Sequence, residues 1–416
     1  MPNQIDIDDL IVPRLNEVQK AAIAYGDANP VTLTVDAVLA SATKRTGLND
    51  FGPDDFIPRL SMLLDEWNAD TKLMNVHRGA LRGYVDRYAA NRLLIHDVLK
   101  RHPEIHDEQI DRPIIVAGLP RSGTTHLVNL LAADERLRSL PLWEAYEPLP
   151  IPGEPAEAAG GIDPRYQRCA SDWETLKRAA PLIAAMHPME PDHIHEDLEL
   201  MQPDFASYNF EWLSAVPRWR DHYYATDQTP HYEYMKTVFK ILQWIRGPKR
   251  WVMKCPQHLE QLPVLRTVFP DATVAITHRD PVAVIQSAVT IIAYGERMRH
   301  TRIDAAGIIA YWTDRVEHLL RACVQDRSVW PETQSIDVPF NRFMADEMAI
   351  VEQIYETAGL AITPLARTQI DHYVEQHPRG KDGQVVYHLE RDFGVSAAAL
   401  RERFQFYFDA FPELAL

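Results

Sequence analysis

Gly118-Leu119-Pro120-Arg121-Ser122-Gly123-Thr124-Thr125 carries the densest chemistry in the chain. It follows the apolar run Ile114-Ile115-Val116-Ala117 and leads into a helical pattern from about Thr124 through Leu131. Glycines after a strand let the backbone turn so that several N–H groups converge. The helix start adds partial positive charge, and Thr124 and Thr125 add hydroxyl donors. Together these make an anion cradle. Gly118 and Gly123 have the spacing of a nucleoside-triphosphate loop, yet Thr124 stands where that loop has its lysine. The lysine bridges the β- and γ-phosphates and the residue after it holds magnesium, so triphosphate use is disfavoured. Arg121, the loop's one cation, suits a shorter 5′ anion held by charge-assisted hydrogen bonds without a metal. A turn without a ligand is the competing reading. The strand, the arginine and the threonine pair together weigh against it.

A second anion-binding pair lies in ATVAITHRDPVAVIQSAVT. Arg279 ends a buried strand, where α/β folds bind ligands. Pro281 suits the first turn of a helix, and Ser287 falls about two turns further on. Such a pair can grip one phosphate from two sides. The alternative is a local Arg279–Asp280 ion pair with a solvated Ser287.

These residues need elements to position them, and the chain supplies an alternating pattern. Beside 114–117, the runs Arg250-Trp251-Val252-Met253 and Ala272-Thr273-Val274-Ala275-Ile276 suit strands buried on both faces, and Gln334–Val338 is a weaker one. Helical patterns at 235–246, 281–293, 304–323 and 343–358 separate them. Strands alternating with helices predict a P-loop-like α/β fold: a three-layer parallel sheet with flanking helices over 111–416. Residues 1–110 read as an all-helical N-terminal region. VTLTVDAVLASATKRTG closes at Gly47, DFIPRLSMLLDEWNADTKL opens at Pro53-Asp54-Asp55, and a third helix ends before Pro103. No strand signal interrupts them. Residues 151–164, rich in Pro, Gly and Ala, read as a surface loop.

The chain has 416 residues, 46% of them apolar, enough to bury a core without disulfide or metal staples. A net charge of −16 argues against nucleic-acid binding through a broad basic face. An anion must therefore be held by a local pocket. Cys169, Cys255 and Cys323 form neither a disulfide framework nor a zinc pattern, which fits a reducing compartment. The acidic start MPNQIDIDDL is no signal peptide, and Ala283–Ala293 is too short to span a bilayer. A soluble cytoplasmic protein is expected.

PIIVAGLPRSGTTHL resembles the 5′-phosphosulfate loop of sulfotransferases that use 3′-phosphoadenosine 5′-phosphosulfate (PAPS); many bacterial members likewise carry Arg at the position of Arg121. The resemblance implies that Arg121, Ser122, Gly123, Thr124 and Thr125 hold the 5′ phosphosulfate. ATVAITHRDPVAVIQSAVT is similar to the family's second motif, an arginine with a serine eight residues on, which implies Arg279 and Ser287 on the 3′-phosphate. HPRGKDGQVVYHLERDFGVS, at 377–396, resembles the late Gly-rich basic loop that closes over the nucleotide, implying Arg379, Gly380 and Lys381 there. An exposed turn with two solvated cations is an equal alternative. Residues 1–110 diffusely resemble the helical leader of one bacterial branch.

Sulfuryl transfer, the activity so implied, needs positioning, charge stabilisation and one base. In RWVMKCPQH, Lys254 ends a strand and His258 follows four residues later, whereas the family's cytosolic eukaryotic members space lysine and histidine two apart. The resemblance implies Lys254 as the cation on the transferring group and His258 as a candidate base. Some branches use a glutamate, which brings in Glu190 and Glu196 of the segment His187–Asp197. His193, His195 and a carboxylate could be read as a metal site, but no His-Glu-x-x-His pattern appears and no metal is expected. Glu144 is a further pocket carboxylate to test. The aromatics crowding 205–234 suit either an apolar acceptor pocket or ordinary core. The implied activity is PAPS-dependent transfer to a hydroxyl or amine of a small-molecule, lipid or glycan acceptor. A P-loop small-molecule kinase and a nucleotide-binding protein without turnover are the alternatives, and a homo-oligomer is compatible with the sequence.

Overall fold

Each of the four apolar runs forms a strand, with ends shifted by at most two residues. A computed structural model describes residues 3–155, 161–378 and 380–412. Its strands are β1 (Gln4–Asp6), β2 (Ile114–Gly118), β3 (Leu137–Arg138), β4 (Arg250–Cys255), β5 (Thr273–His278), β6 (Ser335–Pro339) and β7 (Gln384–Val386). Five of them make one sheet in the order β3-β4-β2-β5-β6, every pair parallel.

The alternation of side chains across β2 shows why these runs are apolar throughout. Ile115 and Ala117 join Met253, Val274 and Ile276 in one core with the helices Thr229–Arg246, Pro281–Glu296 and Ala305–Asp326. Ile114 and Val116 face the other way, into a second core with Val252, Ala275 and Val338 and the helices Thr124–Ala132 and Glu347–Thr357. Both faces are covered, as a parallel sheet requires. The expected three-layer α/β fold is present.

The N-terminal region is helical over Glu17–Ala28, Val35–Thr46, Ile57–Ala69 and Asn75–Arg101. Gly47 closes the second of these in the left-handed conformation (φ 72°), which needs no Cβ. One departure from the expected all-helical leader is β1, which pairs in parallel with β7 near the other end of the chain. Three residues are too few to show a strand period, so only the distant partner defines β1. Core packing also crosses residue 110: Ile7, Leu94 and Ile105 share a cluster with β2 and β4.

Most of the dense aromatics fall into these cores, while Tyr224 stays exposed. Phe205, Phe210, Trp219 and Tyr223 pack with Phe56, Trp67 and Tyr88 of the leader, and Tyr208 and Tyr232 pack beneath the sheet. The acceptor-pocket reading of that run gives way to ordinary packing. No described helix is long and apolar enough to cross a membrane.

Candidate active site

A cleft of about 760 Å³ opens over the C-terminal ends of β2 and β5, and Arg121, Gly123, Thr124, Thr125 and Arg279 line it. The turn after β2 is tight for identifiable reasons. A Cβ on Gly118 would stand 1.9 Å from Thr277 Oγ1 of β5, so only glycine lets the loop lie on the neighbouring strand. Gly123 and Arg121 adopt φ of 88° and 67°, the left-handed geometry that turns successive N–H groups to one side. Ser122 is placed differently from its threonine neighbours. Its hydroxyl donates to Leu119 O (2.6 Å) and shares a hydrogen bond with Thr277 Oγ1 (2.7 Å), so it fastens the loop from beneath.

The two arginines meet across the strand ends. Arg279 donates to the carbonyl of Arg121, and Arg121 Nε donates to Ser287 Oγ at 3.0 Å. The guanidinium of Arg279 lies 4.1 Å from the centre of the Phe340 ring. Burial, and next the charge of Arg121, hold the pKa of Arg279 below that of an ordinary arginine. Among the described residues neither forms an ion pair with a carboxylate. Asp280 is occupied elsewhere: it accepts from Val282 N (2.8 Å) at the helix start and pairs with Arg401 at 2.6 Å. The local Arg279–Asp280 pair is therefore not the arrangement adopted. Two close, half-buried cations lacking an anion are what an anion-binding site requires.

On the other side of the cradle, Lys254 reaches Thr125 Oγ1 at 3.2 Å and Glu196 Oε1 at 2.7 Å. The ammonium is 1% exposed and the carboxylate 17%, so the glutamate keeps some contact with solvent, although neither residue lines the cleft itself. His258 lies deeper, at 0% exposure. Its Nδ1 meets Tyr232 OH and its Nε2 meets Asp197 Oδ2, each at 3.0 Å, leaving neither nitrogen facing the cleft. Asp197, Cys255 and His258 are the one described group whose possible metal-donor atoms come within 4.8 Å of one another. Both imidazole nitrogens already serve hydrogen bonds in it.

Residues between 187 and 194 form the far wall, and the backbone of Ile194 is pinned. Asn129, one helical turn beyond Thr125, donates to Ile194 O (3.4 Å) and accepts from Ile194 N (3.3 Å). His187 and His193 line the cleft, and each has one buried ring nitrogen without a partner. Burial pushes their pKa values down to about 3 and about 2, so both imidazoles are neutral near pH 7. Glu190 lines the cleft too. Glu144 does not: it is buried against Arg138 (3.0 Å) and Arg246 (2.5 Å).

Gly380 and Lys381 line the cleft as well, while Arg379 lies outside the described residues. Phe340, Tyr373 and Asn129 join them without having drawn notice in the sequence, as does His377, the first residue of the late basic motif, which was given no role there. Only Asn129 had a usable signal, its four-residue spacing from Thr125. The others reach the cleft through packing alone.

Residues 113–364 match the model of the sulfotransferase family. Sulfotransferase STF1 of Mycobacterium tuberculosis is 30% identical, with 89% of this chain and 98% of that one covered at a TM-score of 0.77. Sulfotransferase STF9 of Mycobacterium avium is 25% identical, with 91% and 97% covered at a TM-score of 0.81. No curated protein matches significantly.

Proposed function

This chain belongs to the sulfotransferase family, and from that premise we propose that it uses PAPS to sulfate a hydroxyl or amine of a small-molecule, lipid or glycan acceptor. The observation that supports this most is the meeting of Arg121 and Arg279, cations without carboxylate partners among the described residues, at the ends of adjacent strands. The cradle at 118–125 takes the 5′ anion, and Arg279 with Ser287 takes the 3′-phosphate. Thr124 in place of a lysine counts against triphosphate chemistry. Three buried, free cysteines suit a cytoplasmic setting.

PAPS supplies an activated sulfuryl group with adenosine 3′,5′-bisphosphate as leaving group. The chain's own residues do the rest. Lys254, held at Thr125, donates hydrogen bonds to oxygens on which charge grows. Glu196 is the better placed base: it is partly exposed and its carboxylate adjoins that lysine. It accepts the proton of the acceptor hydroxyl as oxygen attacks. His258 supports Asp197, the residue next to Glu196, and so positions the base. No step requires a metal.

Calorimetric titration with adenosine 3′,5′-bisphosphate, in parallel with ATP plus magnesium, tests the donor site. Micromolar bisphosphate binding is expected, weakened at least about tenfold by Arg279→Ala as a charge-assisted hydrogen bond is lost. Tight magnesium-dependent ATP binding with no preference for a 3′-phosphate would overturn the proposal in favour of a kinase. Tight bisphosphate binding without release of bisphosphate from PAPS across an acceptor panel would leave a binding protein without turnover.

A further inference from the structure

We infer that Tyr387 is a further donor-binding residue, its hydroxyl a specificity-determining contact for the nucleotide 3′-phosphate, and that the N-terminal strand β1 holds it in place. The inference rests on the donor reading above, and its motivation is a count of protons. Ser287 Oγ accepts from Arg121 Nε at 3.0 Å and shares a hydrogen bond with Tyr387 OH at 2.9 Å. The two hydroxyls carry two protons, and the bond between them consumes one. Among the described residues no acceptor takes the other. It stands beside Arg121 and Arg279, which have no anionic partner among the described residues. With Ser287 donating to Tyr387 OH, the free proton is the phenol's; an anion bridging the two arginines takes it, and Tyr387→Phe removes that donor.

Tyr387 directly follows β7 and packs against the main core. The strand before it is paired with the other terminus. Ile5 pairs with Val385, and Gln384 N donates to Asn3 O at 2.8 Å. A Cβ on Gly383 would meet Ile5 Cδ1 at 2.6 Å, so the two strands are in close contact where the chain leaves the cleft. Beyond Tyr387, Arg391 pairs with Asp6 at 2.9 Å and donates to Ile7 O at 3.1 Å. Ile7 and Leu10 share a core with Val385, Leu389 and Phe393. The first residues of the chain thus flank Tyr387 on both sides.

The test compares adenosine 3′,5′-bisphosphate with adenosine 5′-monophosphate, which lacks only the 3′-phosphate. Both are titrated calorimetrically into the full-length protein, Tyr387→Phe and Ile5→Pro, with thermal unfolding as a check on folding. Wild type is expected to prefer the bisphosphate. Tyr387→Phe is expected to lose about tenfold for the bisphosphate and nothing for the monophosphate, as removing one hydrogen bond to a charged group would. Ile5→Pro, which breaks the strand pairing, is expected to lose the same preference. If wild type shows no preference, the donor reading itself falls. If wild type discriminates and Tyr387→Phe discriminates equally, or loses both ligands alike, the role of Tyr387 is overturned while the donor reading stands. Tyr387→Phe losing preference with Ile5→Pro unchanged overturns the part assigned to β1.

Discussion

Glu196 and His258 differ in their surroundings far more than in their chemistry. The carboxylate adjoins a buried ammonium and keeps partial exposure, while the imidazole is enclosed with both nitrogens engaged. Glu196→Gln keeps shape and volume but removes the base. It should lower turnover by about 10²–10⁴-fold, the usual worth of general base catalysis, with bisphosphate affinity within about threefold of wild type. His258→Ala should instead act on the fold. It leaves Asp197 and Tyr232 unpaired in the core, which costs on the order of 1–3 kcal/mol each way and lowers the unfolding midpoint. A Glu196→Gln enzyme of normal rate, beside a stable but inactive His258 variant, would reverse the two roles.

At the scale of elements, the site depends on how closely the loop after β2 lies on β5. Gly118→Ala drives a methyl into Thr277 and should cost about 1–3 kcal/mol, as overpacking does, with weaker bisphosphate binding. Adding Thr277→Ala removes the colliding hydroxyl and should recover part of the loss by thermal unfolding and calorimetry. Asn129 ties the helix Thr124–Ala132 to the segment carrying Glu196. Asn129→Leu frees that segment, so kcat should fall more than bisphosphate affinity. β2, β4, β5 and β6 were legible because burial on both faces leaves a continuous apolar run. β1 and β3, with three and two residues, carry no such run and exist through their partners.

For the whole molecule, neutral buried histidines set the response to acid. Burial lowers His77 and His187 to about 3 and His193 to about 2, against about 6.5 in an unfolded chain. The unfolded state therefore binds more protons below pH about 6.5. Stability is complete above that pH and falls as pH drops toward 3, by up to about 1.4 kcal/mol per pH unit for each histidine. His300 works the other way: although burial lowers its pKa, Glu296 and Asp70 raise it overall, so its contribution is present below pH about 6.5 and is lost as pH rises. With His222 and His318, also lowered first of all by burial, the lowered histidines are five against one raised. Denaturant titrations from pH 7 to pH 4 should show steadily falling stability, less steep in His187→Phe; a flat profile would contradict the neutral assignment.

Short-range physics is what the sequence determined by itself. Strand runs, the helix stop at Gly47, the anion cradle at 118–125 and the helix start at Pro281 all depend on residues within a few positions of one another. Tertiary structure alone decided which distant groups converge. Lys254 meets Glu196 across 58 residues, and Arg121 meets Ser287 across 166. It also sent most of the aromatics of 205–234 into cores and enclosed His258. A residue type states what chemistry a side chain can do. Whether it keeps water and a ligand within reach depends on the layers packed around it, which no local pattern encodes.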